Sequence, residues 1–415
     1  MNNILILSPW ADDWDIERAV GTPKVGTLIK GLLDRGFKIH LLLPKKDSFT
    51  NSPYSNLIIH PVYIYKLPKI KFLWLGTYLV EYLMVSFRFM IYGARLLRKY
   101  PLDIIYGISN SMGLAVYWLG RKFHKPTILK LLGVYCAIDS LRRHNPIHWL
   151  LYIAEIIACK LKFSKLIIVD DGTQGDKVAD YFKVPKKRFL FYPQPIDKGF
   201  LRQASLEWLK KELGFKEDNY IILFVSRLIR AKGVDVAIRA MKLVAGREPK
   251  ARFLIVGDGA KRKKYEKLAM KLGIWEWTRF IRSIKYQEMW KYYGIGDVLM
   301  STNLVSNLCL PVIEAMASGV PVVTLDIRDT RKLVKNGETG ILVQFKGRGV
   351  PLRVTPETCE RIRDAVCLLL ENAGLREKIA SKARELILEQ LPDWDEWIDM
   401  EADLINSLKK DFNHG

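Results

Sequence analysis

Residues Ser306–Val323 read SNLCLPVIEAMASGVPVV. Pro311 suits the first turn of a helix, because the amide it lacks is one that a helix start leaves unpaired. Gly319 suits the position just past the helix end. Val320–Leu325 is a short apolar run of the length expected for a buried strand. A helix, a tight turn and a buried strand in immediate succession form the repeating unit of a doubly wound α/β sheet. Working outward from this stretch, strand candidates recur at Tyr220–Ser226, Arg252–Val256, Arg279–Ile284, Val298–Thr302 and Val322–Asp326. An earlier series comprises Ile4–Ser8, Lys38–Leu43, Leu57–Tyr65, Asp103–Ile108, Thr127–Leu132, Leu166–Val169 and Phe189–Tyr192. Helix-length segments such as Pro23–Arg35, Met112–His124 and Trp149–Lys162 separate most of these, which indicates parallel sheets.

The alternation pauses at Pro193–Asp197 and in the polar stretch to Asn219. Two domains therefore follow: residues 1–198 and residues 199–390, each Rossmann-like. The chain is helical by pattern from Pro356 to Lys410, and residues 391–415 form a final helix expected to pack back on the first domain. In open sheets of this kind ligands sit beyond the carboxyl ends of the strands, here in a cleft between the two halves.

The chain has 415 residues, 49% of them hydrophobic, with 66 Lys+Arg against 44 Asp+Glu and a formal charge of +22. The apolar content excludes a disordered chain, and the ordinary Gly and Pro content excludes a collagenous or low-complexity one. The positive balance favours an anionic partner: nucleic acid, an acidic membrane surface or a phosphorylated ligand. The five cysteines are widely spaced and show no C-x-x-C pair, which points to a reducing compartment rather than a disulfide framework. The apolar run after Met1 is too short for a signal peptide and reads as a strand. Phe72–Ala94 is the strongest membrane candidate, but Glu81 and Arg88 interrupt it, so it is not expected to span a bilayer. An apolar helix of this kind is ordinarily buried in the fold; the Arg95, Arg98 and Lys99 that follow raise a surface-seeking helix as the sharper alternative.

Three clusters carry chemistry. Arg227 and Lys232 follow an apolar strand, five residues apart, and can converge on one anion: Arg bidentately, Lys as a compact charge. Gly257 and Gly259 flank Asp258 in a tight strand-to-helix turn. The third is the opening stretch, whose helix N-terminus attracts an anion. Glu314, about one turn inside that helix, can accept hydrogen bonds from a diol.

In this order and spacing the clusters resemble those of the retaining glycosyltransferases with two Rossmann-like domains (GT-B), and more narrowly family 4. The resemblance covers about residues 220–345. It implies a transferase that moves a sugar from a nucleotide-diphosphate sugar to a hydroxyl acceptor, with retention of configuration and without a metal or cofactor. Arg227 and Lys232 would clamp the diphosphate, and Glu314 would hold the ribose hydroxyls. Gly257, Gly259, Ser306 and the backbone of Asn307, Leu308, Cys309 and Leu310 would complete the donor site. Asp12, Asp13 and Asp15, after the first strand, are acceptor-side candidates.

Ser306 stands where the family carries a glutamate that helps bind the donor sugar. A different sugar, or a catalytically impaired sugar-nucleotide-binding protein, is the alternative this raises, and an epimerase of the same fold is another. Basic runs such as Lys186–Arg188 and Lys261–Lys264 occur without any nucleic-acid reader motif, so no specific nucleic acid is expected. The charge and the Phe72–Lys99 stretch suggest a lipid-linked or membrane-associated glycan as acceptor. A cytoplasmic protein, peripheral at the inner face of an anionic membrane, is the corresponding location.

Overall fold

The computed structural model describes residues 2–10, 23–45, 54–64, 74–134, 141, 146–202, 204–345 and 354–414. In the first half the strands are β1 (Asn3–Leu7), β2 (Lys38–Pro44), β3 (Leu57–Val62), β4 (Ile104–Ile108), β5 (Thr127–Leu131), β6 (Lys165–Val169) and β7 (Phe189–Tyr192). Helices α1 (Pro23–Asp34), α2 (Trp74–Lys99), α3 (Gly113–Phe123), α4 (Pro146–Leu151), α5 (Ile153–Lys160) and α6 (Gly175–Tyr181) alternate with them. The second half holds α7 (Glu207–Glu212), β8 (Tyr220–Val225), α8 (Val234–Arg247), β9 (Ala251–Val256), α9 (Arg262–Lys271) and β10 (Thr278–Ile281). There follow α10 (Met289–Gly294), β11 (Val298–Ser301), α11 (Leu310–Ala317), β12 (Val322–Leu325), β13 (Ile341–Val343), α12 (Pro356–Glu371), α13 (Ala373–Gln390) and α14 (Trp394–His414).

The chain divides into two compact units. The first comprises residues 1–170, 174–193 and 394–415, so α14 returns to the N-terminal unit; the second comprises 171–173 and 194–393. The first sheet has seven strands in the order β3-β2-β1-β4-β5-β6-β7, and the second has six in the order β10-β9-β8-β11-β12-β13. Every pairing is parallel. The fold is the doubly wound, two-domain α/β architecture that the alternation predicts. β13 is missing from the sequence reading: at three residues it is too short to show a period.

Parallel sheets covered on both faces require strands that are apolar throughout, and β1 (NILIL) is one. Its side chains alternate between two cores. Leu5 and Leu7 join Phe89, Leu119 and Ile168 on one face, where α2, α3 and α5 pack. Ile4 and Ile6 join Leu28, Tyr106 and Trp397 on the other, beneath α1 and α14. The second unit repeats the scheme. Ile222 and Phe224 of β8 face the core under α8 and α12, whereas Ile221 and Leu223 face the one under α11 and α13.

The stretch that opened the reading folds as anticipated. Cys309 caps α11, and Pro311 lies in its first turn. Gly319 follows the helix at φ +74. Its amide bonds Met316 O at 3.1 Å, and the Val320 amide bonds Ala315 O at 2.8 Å, which satisfies carbonyls that the helix end leaves open.

Candidate functional site

The carboxyl end of β8 runs into Ser226–Lys232, a basic loop ending in a 3-10 turn at Arg230–Lys232. Two glycines decide how this loop sits. Gly233, at φ +64, starts α8, and a Cβ there would lie 2.0 Å from the Thr302 carbonyl oxygen. Gly257, at φ +145, brings its backbone against Ser226; a Cβ would lie 2.0 Å from Ser226 O. No other side chain fits either place. At Gly259 a Cβ would meet Leu228 backbone atoms at 2.8–3.0 Å. The Leu228 amide bonds Asp258 O at 2.8 Å, and the Gly259 amide bonds Asp258 Oδ1 at 2.8 Å. The G-D-G turn therefore braces the basic loop from behind.

The loop delivers Lys232 to a small cavity at the carboxyl ends of β8 and β11. Its lining includes Ser226, Thr302, Asn303, Cys309 and Pro311. The volume is about 20 Å³, room for roughly one water-sized group. Lys232 and the N-terminus of α11 thus border one recess, an arrangement suited to an anionic oxygen. Arg227 is exposed on the same loop.

Asn307 and Ser306 are committed to the fold. Asn307, fully buried, accepts from Ser301 Oγ at 2.8 Å and donates to Asn303 O and Leu325 O at 3.1 and 3.2 Å. The Ser306 hydroxyl donates to Asp171 O and accepts from the Leu308 amide at 3.2 Å. Gln194 Nε2 donates to Leu308 O. These contacts fasten Asp171–Thr173 and Gln194 to the loop before α11, which no spacing in the sequence signals. Leu308 is buried; Cys309 and Leu310 are half-buried at the helix start.

Glu314 is buried in α11 and accepts a hydrogen bond from Tyr293 OH at 2.8 Å. Burial, then the neighbouring carboxylate, raises the Tyr293 pKa well above the usual tyrosine range, so the hydroxyl remains a donor. Glu314 does not line the 20 Å³ recess. Asp12, Asp13 and Asp15 lie outside the described residues. Among the described residues no group of three His, Cys, Asp or Glu side chains gathers to hold a metal ion.

Two doubly wound parallel sheets, the second carrying a basic loop and a helix N-terminus at its strand ends, define the GT-B class. Residues 207–386, most of the second unit, match the family model of the glycosyl transferases group 1. A named but uncharacterized glycosyltransferase of Methanocaldococcus jannaschii is 25% identical over 280 residues, 66% of this chain and 65% of that protein. The chain thus spans just under two thirds of that relative's length. The alpha-monoglucosyldiacylglycerol synthase of Acholeplasma laidlawii is 23% identical over 338 residues, 76% of this chain and 79% of the relative. Anabaena HepE, solved with UDP and glucose, superposes with a TM-score of 0.71 at 17% identity and covers 98% of this chain and 100% of its own.

Proposed function

We propose that the chain is a retaining glycosyltransferase that takes a sugar from a nucleotide-diphosphate donor. The observation that carries this reading is the glycine-braced loop that sets Lys232 beside the N-terminus of α11, with Arg227 on the same loop. The match of residues 207–386 to the family model and a structural neighbour solved with UDP support it. Arg227 and Lys232 hold the diphosphate, and Glu314, oriented by Tyr293, holds the ribose hydroxyls. In the reaction an acceptor hydroxyl oxygen attacks the anomeric carbon from the face the diphosphate leaves. The bond from that carbon to the phosphate oxygen breaks with its electron pair going to the diphosphate, and the hydroxyl proton passes to a phosphate oxygen. The two cations neutralise the charge that develops there, which lowers the barrier without a metal or cofactor.

The acceptor we assign is a lipid-linked or membrane-associated glycan, reached from the cytoplasmic face of an anionic membrane. Support comes from α2, where Val80, Leu83 and Phe87 are exposed although large and apolar. The named activity of the Acholeplasma relative, a glycolipid synthase, points the same way.

The decisive experiment is calorimetry and thermal shift with UDP-, GDP-, ADP- and dTDP-sugars. A cognate donor at about 100 Kd stabilises the fold by about 2.7 kcal/mol. Arg227→Ala and Lys232→Ala are each expected to weaken donor binding about tenfold or more, the scale of a charge-assisted contact. Unchanged affinity in both variants rejects the clamp. A second reading, a sugar-nucleotide-binding protein without turnover, is favoured by Ser306, whose hydroxyl is engaged within the fold. Sugar transfer or donor hydrolysis at a measurable rate removes it.

A further inference from the structure

A second charged concavity of the second unit lies away from the recess at α11. Helices α8 and α9 and the Arg230–Lys232 turn enclose a cavity of about 460 Å³. Arg230, Arg239, Lys261, Lys264, Lys267 and Lys271 line it. Asp235 is the single carboxylate of the lining, and Tyr265 and Leu268 complete it. Lys264, Lys267 and Lys271 recur at helical spacing, so α9 presents them as one row. Among the described residues none of the six cations is held in an ion pair. Arg262, from the same basic run, is occupied elsewhere: it bonds Glu266 at 2.6 Å and Phe280 O at 2.9 Å. The run Lys261–Lys264 is therefore more than a solvated face, because its members divide between a structural anchor and a cavity wall.

Six cations around one carboxylate repel one another, and a bound anion relieves that repulsion. The volume falls within the range of about 300–1,000 Å³ typical of small-ligand sites. We propose that this cavity binds a compact soluble anion carrying two or more phosphate groups. Several point charges on separate walls can then meet separate phosphates, the geometry for which lysine suits. The site also communicates with the donor site as read above, and only this half of the proposal rests on that reading. Arg230 lines the anion cavity, while Lys232, two residues on in the same 3-10 turn, lines the recess at α11. A ligand that draws on Arg230 biases the position of Lys232, so occupancy of either site changes affinity at the other by the same factor.

The test uses inorganic tripolyphosphate and the full chain in about 0.15 M salt, where exposed charges are screened beyond about 8 Å. Saturable one-to-one binding is expected. Lys261→Gln/Lys264→Gln/Lys271→Gln should weaken it by about tenfold or more, whereas Lys186→Gln/Lys187→Gln/Arg188→Gln, which removes the same charge from the first unit, should change it less than about twofold. Arg239→Gln, on α8 rather than α9, serves as a milder variant of the lining, expected to weaken binding about threefold. Equal weakening by both triple variants, or binding that never saturates, overturns the site in favour of diffuse attraction. Loss of binding in Arg227→Ala but not in the lysine triple places tripolyphosphate in the donor clamp and also overturns it. Binding to phosphatidylglycerol vesicles through these lysines, without tripolyphosphate binding, overturns the soluble ligand. Saturating tripolyphosphate should shift the affinity for whichever of UDP, GDP, ADP and dTDP the chain binds by at least about threefold in the wild type and not in the lysine triple. An unshifted affinity overturns the coupling. If none of UDP, GDP, ADP and dTDP binds the wild type, the donor reading falls, and the tripolyphosphate titration still decides the cavity.

Discussion

At Gly233 a hydrogen stands where any other residue would push a carbon into the Thr302 carbonyl. The sequence marks this glycine only as a permissive residue near a helix start; its necessity comes from Thr302, which lies 69 positions further along the chain. Gly233→Ala combines a left-handed backbone with a backbone clash, so it should lower stability by about 2 kcal/mol or more. Denaturant midpoints of the full chain measure this, and a change under about 0.5 kcal/mol would show that the loop yields freely. That Arg227 and Lys232 follow a strand end and that Glu314 lies near a helix start was legible from spacing, because such ends are marked within a few residues. Tyr293 as the partner of Glu314, and Asp171 as the partner of Ser306, were not, since each pair joins segments 21 and 135 residues apart.

Among the elements α2 is the one whose environment the sequence left open between burial and surface. The structure divides it: Tyr82 and Phe89 are buried, while Leu83 is 49% and Phe87 62% exposed. Val80, Leu83, Phe87 and the exposed Arg98 fall on one side of the helix at its 3.6-residue period. On the membrane-associated reading proposed above, the apolar residues of this stripe enter an anionic lipid interface and Arg98 meets its headgroups. No helix among the described residues is long and apolar enough to cross a membrane. The chain should cosediment with phosphatidylglycerol vesicles at low salt and release at high salt. Leu83→Ser/Phe87→Ser should weaken this by about tenfold or more, given about 1.5–3 kcal/mol for each large apolar side chain buried. Unaltered binding in that variant would leave bulk charge as the sole cause and reject α2 as the contact.

On the scale of the whole molecule, the tail returns as expected, but a buried ion pair that no spacing signals holds it. Lys130 of β5 and Glu401 of α14 form an ion pair with both side chains almost wholly buried. Tyr106 OH donates to Glu401 at 2.9 Å, and the Lys130 ammonium lies 3.5 Å from the centre of the Trp397 ring. Burial lowers the Lys130 pKa, and the carboxylate works against that shift. Removing one partner of such a pair leaves an uncompensated buried charge, whereas removing both leaves none. Lys130→Met alone should cost about 3–5 kcal/mol, and Lys130→Met/Glu401→Leu clearly less than the two single substitutions added together. Thermal or urea unfolding of the four proteins closes the cycle; strictly additive costs would mean that the pair does not act as a unit.

Short-range patterns carried much of this protein. Continuous apolar runs specify parallel strands, and Pro311 and Gly319 specify where α11 begins and ends. These follow from backbone geometry and burial within a few residues, so a linear reading can find them. Other features arise only when distant segments meet. The sheet order placed β1 between β2 and β4, and β8 between β9 and β11. Folding then set Gly257 against Ser226, sank Lys130 beneath Trp397, and turned Lys261 and Lys264 toward Arg230 and Arg239 across a shared cavity. Charge in particular has no meaning along the chain until packing decides which cations keep carboxylate partners, and Coulomb interactions depend on distance and burial rather than on sequence separation.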